Sequence, residues 1–253
     1  MATVELKNVS YVYNKGTPYE AKALDNISLT LTGEGITGLI GHTGSGKSTM
    51  MLLLDKLYPL SEDGGRITIG GVDIRKIRTA HLRRNIGMVL QEPFLFSRSI
   101  AENIGIVSPE LDMEAIRSAA AAAALDETVM SFTAGYETMV GERGVTLSGG
   151  QKQRTAIARM LSQDVPIMIF DDSLSAVDTQ TDAKIRSEIS KRFGKASVIL
   201  ISHRITTLSA ADKILVLDRG RIVEEGTHES LKSAGGIYQK IYETQSGAQE
   251  VIE

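Results

Sequence analysis

The chain reads as an α/β protein with a mainly parallel sheet covered on both faces, an N-terminal antiparallel β portion and an inserted α-helical subdomain. Three observations point there. Short apolar strand-like runs alternate with helix-like stretches through the second half of the chain, joined by short links. The apolar run 36–40 leads through a glycine-rich loop into a helix-like stretch. Between these regions, residues 112–133 turn helical in character, with an alanine run at 119–124.

Taken in order, residues 4–13 alternate and are rich in β-formers, and Asn14-Lys15-Gly16-Thr17-Pro18 turns them. Residues 24–31 read as a second strand, 36–40 as the strand before the loop, and 49–58 as the helix after it. Gly64-Gly65 turns into a strand at 66–69, and 86–90 is a buried-strand run ending at Gln91. Residues 93–145 form the expected helical subdomain, in which Asp112 caps a helix. Ser148-Gly149-Gly150 opens another helix over 151–162. Strands at 167–170 and 197–201 are each followed by a helix, at 178–193 and 205–210. Residues 213–217 lead to a hairpin, and helices at 227–232 and 237–244 close the fold. The expected organisation is one domain over 1–245, with 1–92 and 146–245 as core and β portion, and 246–253 as a loose tail.

The bulk numbers narrow the class. A length of 253 residues suits one large domain, and 42% hydrophobic with 23% charged residues is ordinary for a globular protein. A net charge of −3 argues against nucleic-acid binding, and the lack of cysteine removes disulfide and thiolate chemistry. No apolar run approaches the about 20 residues needed to span a bilayer, and no signal peptide is evident. A cytoplasmic location is the expectation.

Gly41-His42-Thr43-Gly44-Ser45-Gly46-Lys47-Ser48 matches the phosphate-loop pattern, with the strand before it and helix after it that the pattern requires. The three glycines let the backbone curl so that several N–H groups face one anion, and the helix adds its positive dipole end. Lys47 carries charge to the β- and γ-phosphates, the Ser48 hydroxyl can ligate Mg²⁺, and Thr49 completes the candidate nucleotide-binding set. The fold expected is that of a P-loop NTPase. An apolar strand ending in Asp171 supplies the carboxylate that holds Mg²⁺ in such proteins. Leu147-Ser148-Gly149-Gly150-Gln151 repeats the device: a hydroxyl, two glycines and a helix N-terminus make a second anion site. Two such devices on one chain would let ATP bind between two copies.

With these residues in family order, together with Gln91, Ser175-Ala176-Val177-Asp178 and Ser202-His203-Arg204, the chain resembles the nucleotide-binding domain of an ABC transporter over nearly its whole length. The resemblance implies two domains sandwiching two ATP–Mg²⁺ head to tail, each phosphate loop facing the partner's Ser148 segment. Tyr13 resembles the aromatic that stacks on adenine; Tyr11, read as facing the other side of the strand, is the second candidate. Gln91 resembles the glutamine that senses Mg²⁺ and γ-phosphate, and His203 the histidine that contacts γ-phosphate and attacking water. Ser175 and Asp178 fall at the dimer interface, though a helix N-cap explains Asp178 nearly as well. His81 and His228 have no catalytic part, and His42 none beyond its place in the loop.

The sequence departs from the family at Asp172, where most active members carry Glu. An Asp is one methylene shorter, and losing a positioned base typically costs about 10²–10⁴ in rate. That implies a weakly hydrolysing site normally paired with a different subunit whose site Ser148-Gly149-Gly150-Gln151 completes. Residues 138–144, 94–104 and 223–228 resemble exporters, with Met139 where Glu is usual; 14–20 and 39–43 resemble the ATPases of vitamin or cobalt importers. A natural mosaic and an engineered chimera both fit that split. The implied partners are a second nucleotide-binding domain and transmembrane domains, placing the chain at the inner face of a membrane. A DNA-acting ATPase would need a long coiled coil, which is missing, whereas a nucleotide-sensing module with little hydrolysis fits Asp172.

Overall fold

The computed structural model describes residues 3–32, 35–107, 110, 112–141, 147–175, 177–192 and 196–250. They form two compact units: Met1–Ile86 with Pro166–Ile169 and Lys195–Glu253, and Gly87–Val165 with Phe170–Gly194. The chain begins with β1 (Val4–Tyr13), β2 (Ala21–Leu31), β3 (Gly35–Ile40), α1 (Lys47–Leu54), β4 (Arg66–Ile69), β5 (Val72–Asp73) and α2 (Thr79–Asn85). It continues with β6 (Ile86–Val89), α3 (Ile100–Gly105), α4 (Met113–Ala122), α5 (Asp126–Met130), α6 (Gly149–Leu161), β7 (Ile167–Asp171) and α7 (Thr179–Arg192). β8 (Ser197–Ile201), α8 (Ile205–Leu208), β9 (Lys213–Asp218), β10 (Arg221–Gly226), α9 (His228–Leu231) and α10 (Ile237–Glu250) complete it.

Two sheets carry the fold. One is antiparallel, in the order β2-β1-β4-β5, with Leu6 opposite Leu29 and Ile67. The other runs β10-β9-β3-β8-β7-β6; in it β3 lies parallel between β8 and β9, with Leu39 opposite both Ile201 and Leu215. β8 is buried at every residue, so its sequence Ser-Val-Ile-Leu-Ile carries no polar alternation. β10 is the antiparallel edge and alternates exposed with half-buried residues. These are the mixed sheet and helical insertion of a P-loop NTPase.

Several boundaries differ from the sequence reading. The helix after the glycine-rich loop begins at Lys47 rather than 49 and stops at Leu54 rather than 58. Lys56 takes a left-handed φ of 51°, and Leu57 N–H folds back to the Leu52 carbonyl at 2.9 Å, which ends the helix. α2 was not anticipated at all, because its one buried residue, Leu82, leaves no periodic signal. Residues 246–250 are not loose: they continue α10, whose only internal breaker, Gly247, costs about 1 kcal/mol. The expected helical insertion, 93–145, falls inside a longer segment of the second unit, Gly87–Val165. There α6 packs against α3 and α4, and its Ile157 and Ala158 are fully buried. No helix among the described residues is long and apolar enough to cross a membrane.

The turn from β5 toward α2 is held by one carboxylate. Asp73 accepts from Arg75 N–H at 3.0 Å, Nε at 3.0 Å and Nη2 at 2.8 Å, and lies 3.4 Å from Arg66 Nε. These bonds, those of the Arg75 side chain foremost, hold its pKa at about 2. A folded pKa below the usual carboxylate value of about 4 stabilises the fold fully above that value, and the contribution disappears as pH falls through about 2. Urea denaturation of Asp73→Asn should therefore show lower stability than the native chain at neutral pH. The difference should shrink steadily between about pH 4 and pH 2.

Candidate phosphate-binding site

β3 delivers the loop, and tertiary contacts make two of its glycines necessary. A Cβ on Gly41 would stand 2.1 Å from the Leu217 carbonyl oxygen, and one on Gly46 2.5 Å from that of Ala23. Gly46 also has a φ of 104°, where an L side chain is strained. Gly44, at φ 81°, meets nothing within 4 Å, so this side of the loop is open. Gly220 N–H donates to the Ser45 carbonyl at 3.0 Å and ties the loop to the β9–β10 turn.

Lys47 closes the loop from inside. It is 6% exposed, and its ammonium donates to the carbonyls of Gly41 at 2.7 Å and His42 at 3.0 Å and to Ser45 Oγ at 3.2 Å. A buried cation curled against carbonyls, an open backbone at Gly44 and a helix N-terminus form a cradle that suits a polyphosphate anion. Ser48 and Thr49 follow in the first turn of α1. The Tyr13 hydroxyl is 2.9 Å from Thr49 Oγ1, which joins the end of β1 to that turn.

Tyr11 and Tyr13 do not face opposite sides of β1, as the sequence reading had it. Residues two apart in a strand share a face, and the rings meet edge to face with centroids 5.0 Å apart. Tyr58 joins them, stacked on Tyr11 at 5.7 Å and edge-on to Tyr13 at 5.6 Å. Burial, then the neighbouring phenols, raise the Tyr11 pKa. His203 follows β8 and is exposed, while the Ser202 N–H before it donates to the Leu39 carbonyl at 3.2 Å. The loop after β3 and the His203 loop thus leave adjacent parallel strands at the same, carboxyl-terminal edge.

The remaining candidates lie in or at the start of the second unit. Ser148 caps α6: its Oγ accepts Gln151 N–H at 3.3 Å, and Gln151 Oε1 accepts Ser148 N–H at 2.9 Å. Gly149 is exposed and its Cβ position is empty. The Gln91 carbonyl accepts from Gln153 Nε2 at 3.0 Å, so the buried Gln153 links α6 to the segment after β6. The sequence reading missed Gln153, and its place two residues after Gln151 was the available signal. Asp171 ends β7. Asp172 adopts a φ of 46°, is 8% exposed, and its Oδ1 has no hydrogen-bond partner among the described residues. A buried carboxylate oxygen left unsatisfied costs free energy that a bound group can recover. Ser175 donates to the Asp172 carbonyl from its hydroxyl at 2.7 Å. Asp178 accepts Thr181 N–H at 3.0 Å as the N-cap of α7, and bonds from the Thr181 backbone and side chain lower its pKa. Met139 is exposed; residues 142–144 of the exporter-like loop, and Ala176, lie outside the described residues.

A family model described as ABC transporter matches residues 24–175. An uncharacterised ABC transporter ATP-binding protein of Bacillus subtilis, YknU, is 45% identical over 242 residues, 96% of this chain and 40% of that protein. A putative multidrug export ATP-binding/permease protein of the same bacterium, YgaD, is 41% identical over 243 residues, 96% of this chain and 41% of its own length. The structure of a bacterial Atm1-family ABC exporter with ATP bound matches with a TM-score of 0.91 and 36% identity, over 96% of this chain and 42% of that one. The chain therefore spans about two fifths of the length of these relatives. Because the family match takes in the glycine-rich loop, the Ser148 segment and the strand ending in Asp171, this chain belongs to the ABC transporter family, as its nucleotide-binding, ATP-hydrolysing domain.

Proposed function

We infer that this domain binds ATP with Mg²⁺ between two such domains and powers export by a larger transporter, with slow hydrolysis at its own site. The observation that carries the reading is the cradle at 41–48, where carbonyl contacts force glycine at 41 and 46 and the lysine is buried inside the loop. Likeness to one relative whose name includes export, and to an ATP-bound exporter, supports the direction of transport.

Each residue then has a part. Lys47 exchanges its carbonyl partners for β- and γ-phosphate oxygens, stronger acceptors because they are charged. Ser48, Asp171 and Gln91 would hold Mg²⁺, which supplies charge neutralisation at the phosphates. The open backbone at Gly44 admits the phosphate chain, and Tyr13, braced by Tyr11 and Tyr58, offers a ring edge or face to the base. The exposed N-terminus of α6 at Ser148 and Gly149 meets the γ-phosphate of a partner's nucleotide, and Ser175 and Asp178 belong to the same dimer interface. His203 orients the attacking water, and Asp172 stands where a longer carboxylate would accept its proton. Binding favours the closed pair only by the difference in affinity between closed and open forms.

A sensor that binds ATP and scarcely turns it over is the second reading, favoured by the carboxylate at Asp172, one methylene shorter than the family's Glu. Lys47→Ala should weaken binding of a fluorescent ATP analogue by about 10- to 100-fold, the worth of charge-assisted bonds. Unchanged affinity would remove the cradle from nucleotide binding. Asp172→Glu should raise steady-state phosphate release by about tenfold or more. Equal rates in native and variant chains would mean that Asp172 already serves, and the slow-site reading fails.

A further inference from the structure

The C-terminal helix reaches back to the loop that carries His203. α10 is anchored at its start by Glu224 of β10, which accepts the N–H groups of Ile237 and, at 3.3 Å, Tyr238. Tyr238 is fully buried, and its hydroxyl lies 2.8 Å from His228 Nδ1. Seven residues later is two helical turns, so burial of Tyr238 fixes the rotation that brings Gln245 onto the same inward face. There Gln245 Nε2 donates to the His203 carbonyl at 2.6 Å, and its Oε1 accepts Ile205 N–H at 2.9 Å.

One amide thus grips the backbone on both sides of Arg204. On the other side, Ser202 is held to β3 through the Leu39 carbonyl, and its Oγ accepts Arg204 N–H at 3.0 Å. His203 is the exposed residue between these two anchorages. A plain cap for α8 needs only an acceptor for Ile205 N–H. The second bond, to the carbonyl of His203 itself, has no part in capping.

We propose that Gln245 is a positioning residue for ATP hydrolysis, acting through His203 by fixing the backbone from which the imidazole projects. The proposal rests on the reading of His203 as the group that orients γ-phosphate and water. A hydrogen-bonding group displaced by a fraction of an ångström loses much of its effect on the reacting atoms while the ligand still binds.

The test is a double-mutant cycle on the full chain, reading phosphate release, binding of a fluorescent ATP analogue and thermal melting. Gln245→Ala should lower kcat about tenfold and change the analogue's Kd by less than about twofold. Gln245→Glu keeps the helix side chain and the acceptor for Ile205 but loses the amide donor, so it should show a similar loss even if Gln245→Ala folds poorly. In a His203→Ala background, neither substitution should slow the reaction further, because the clamp has nothing left to position. The same fold loss in both backgrounds, or full kcat in both variants, overturns the proposal. Loss in His203→Ala with none in the Gln245 variants sinks the clamp alone, whereas full turnover in His203→Ala sinks the reading of that histidine and the clamp with it.

Discussion

The first unit is organised around a close approach of backbone to backbone. The loop after β3 passes so near the carbonyls of Leu217 and Ala23 that positions 41 and 46 leave no room for a Cβ. That contact needs the end of β9, the start of β2 and the end of β3 to converge, so it presupposes both sheets. In return it sets where α1 begins, and the helix then turns Lys47 back into the loop, where three oxygens receive its ammonium. Binding chemistry and packing are here the same contacts. A substitution that relieves the crowding also dismantles the cradle.

Helix caps do double service across the candidate site. Ser148 and Asp178 each satisfy the first turn of their own helix, yet both carry proposed roles toward a partner. A cap residue must sit at the mouth of a helix, beside its first N–H groups, which is also the place from which an anion or an opposing chain is met. Thr227 and Ser99 cap α9 and α3 in the same way with no proposed ligand. Capping alone is therefore no mark of function. What separates Ser148 is the exposed glycine that follows it.

The backbone beneath two of the proposed site residues is held by amides at a distance in sequence. Gln153 holds the carbonyl of Gln91 from α6, and Gln245 holds that of His203 from α10. In each case a side-chain amide on a helix grips the main chain of a loop, leaving the loop's own side chain available. Such contacts join residues 62 and 42 positions apart, so no local pattern announces them.

How much was legible follows from the range of each interaction. The P-loop NTPase class, the strands at 4–13, 66–69 and 197–201, and the caps Asp112 and Ser148 were readable because pattern and chemistry lie within a few residues. Lys47 was readable because a strand, glycines and a helix start form one local device. The sequence alone thereby determined the family and the candidate residues. Tertiary structure decided the rest: the end of α1 at Leu54, the formation of α2 on a single buried leucine, and the run of α10 to Glu250. It also decided that Tyr11 and Tyr13 share one aromatic cluster with Tyr58 and that Gln245 meets His203. These depend on which distant surfaces close on one another, and burial against a distant element leaves no signature in neighbouring residues.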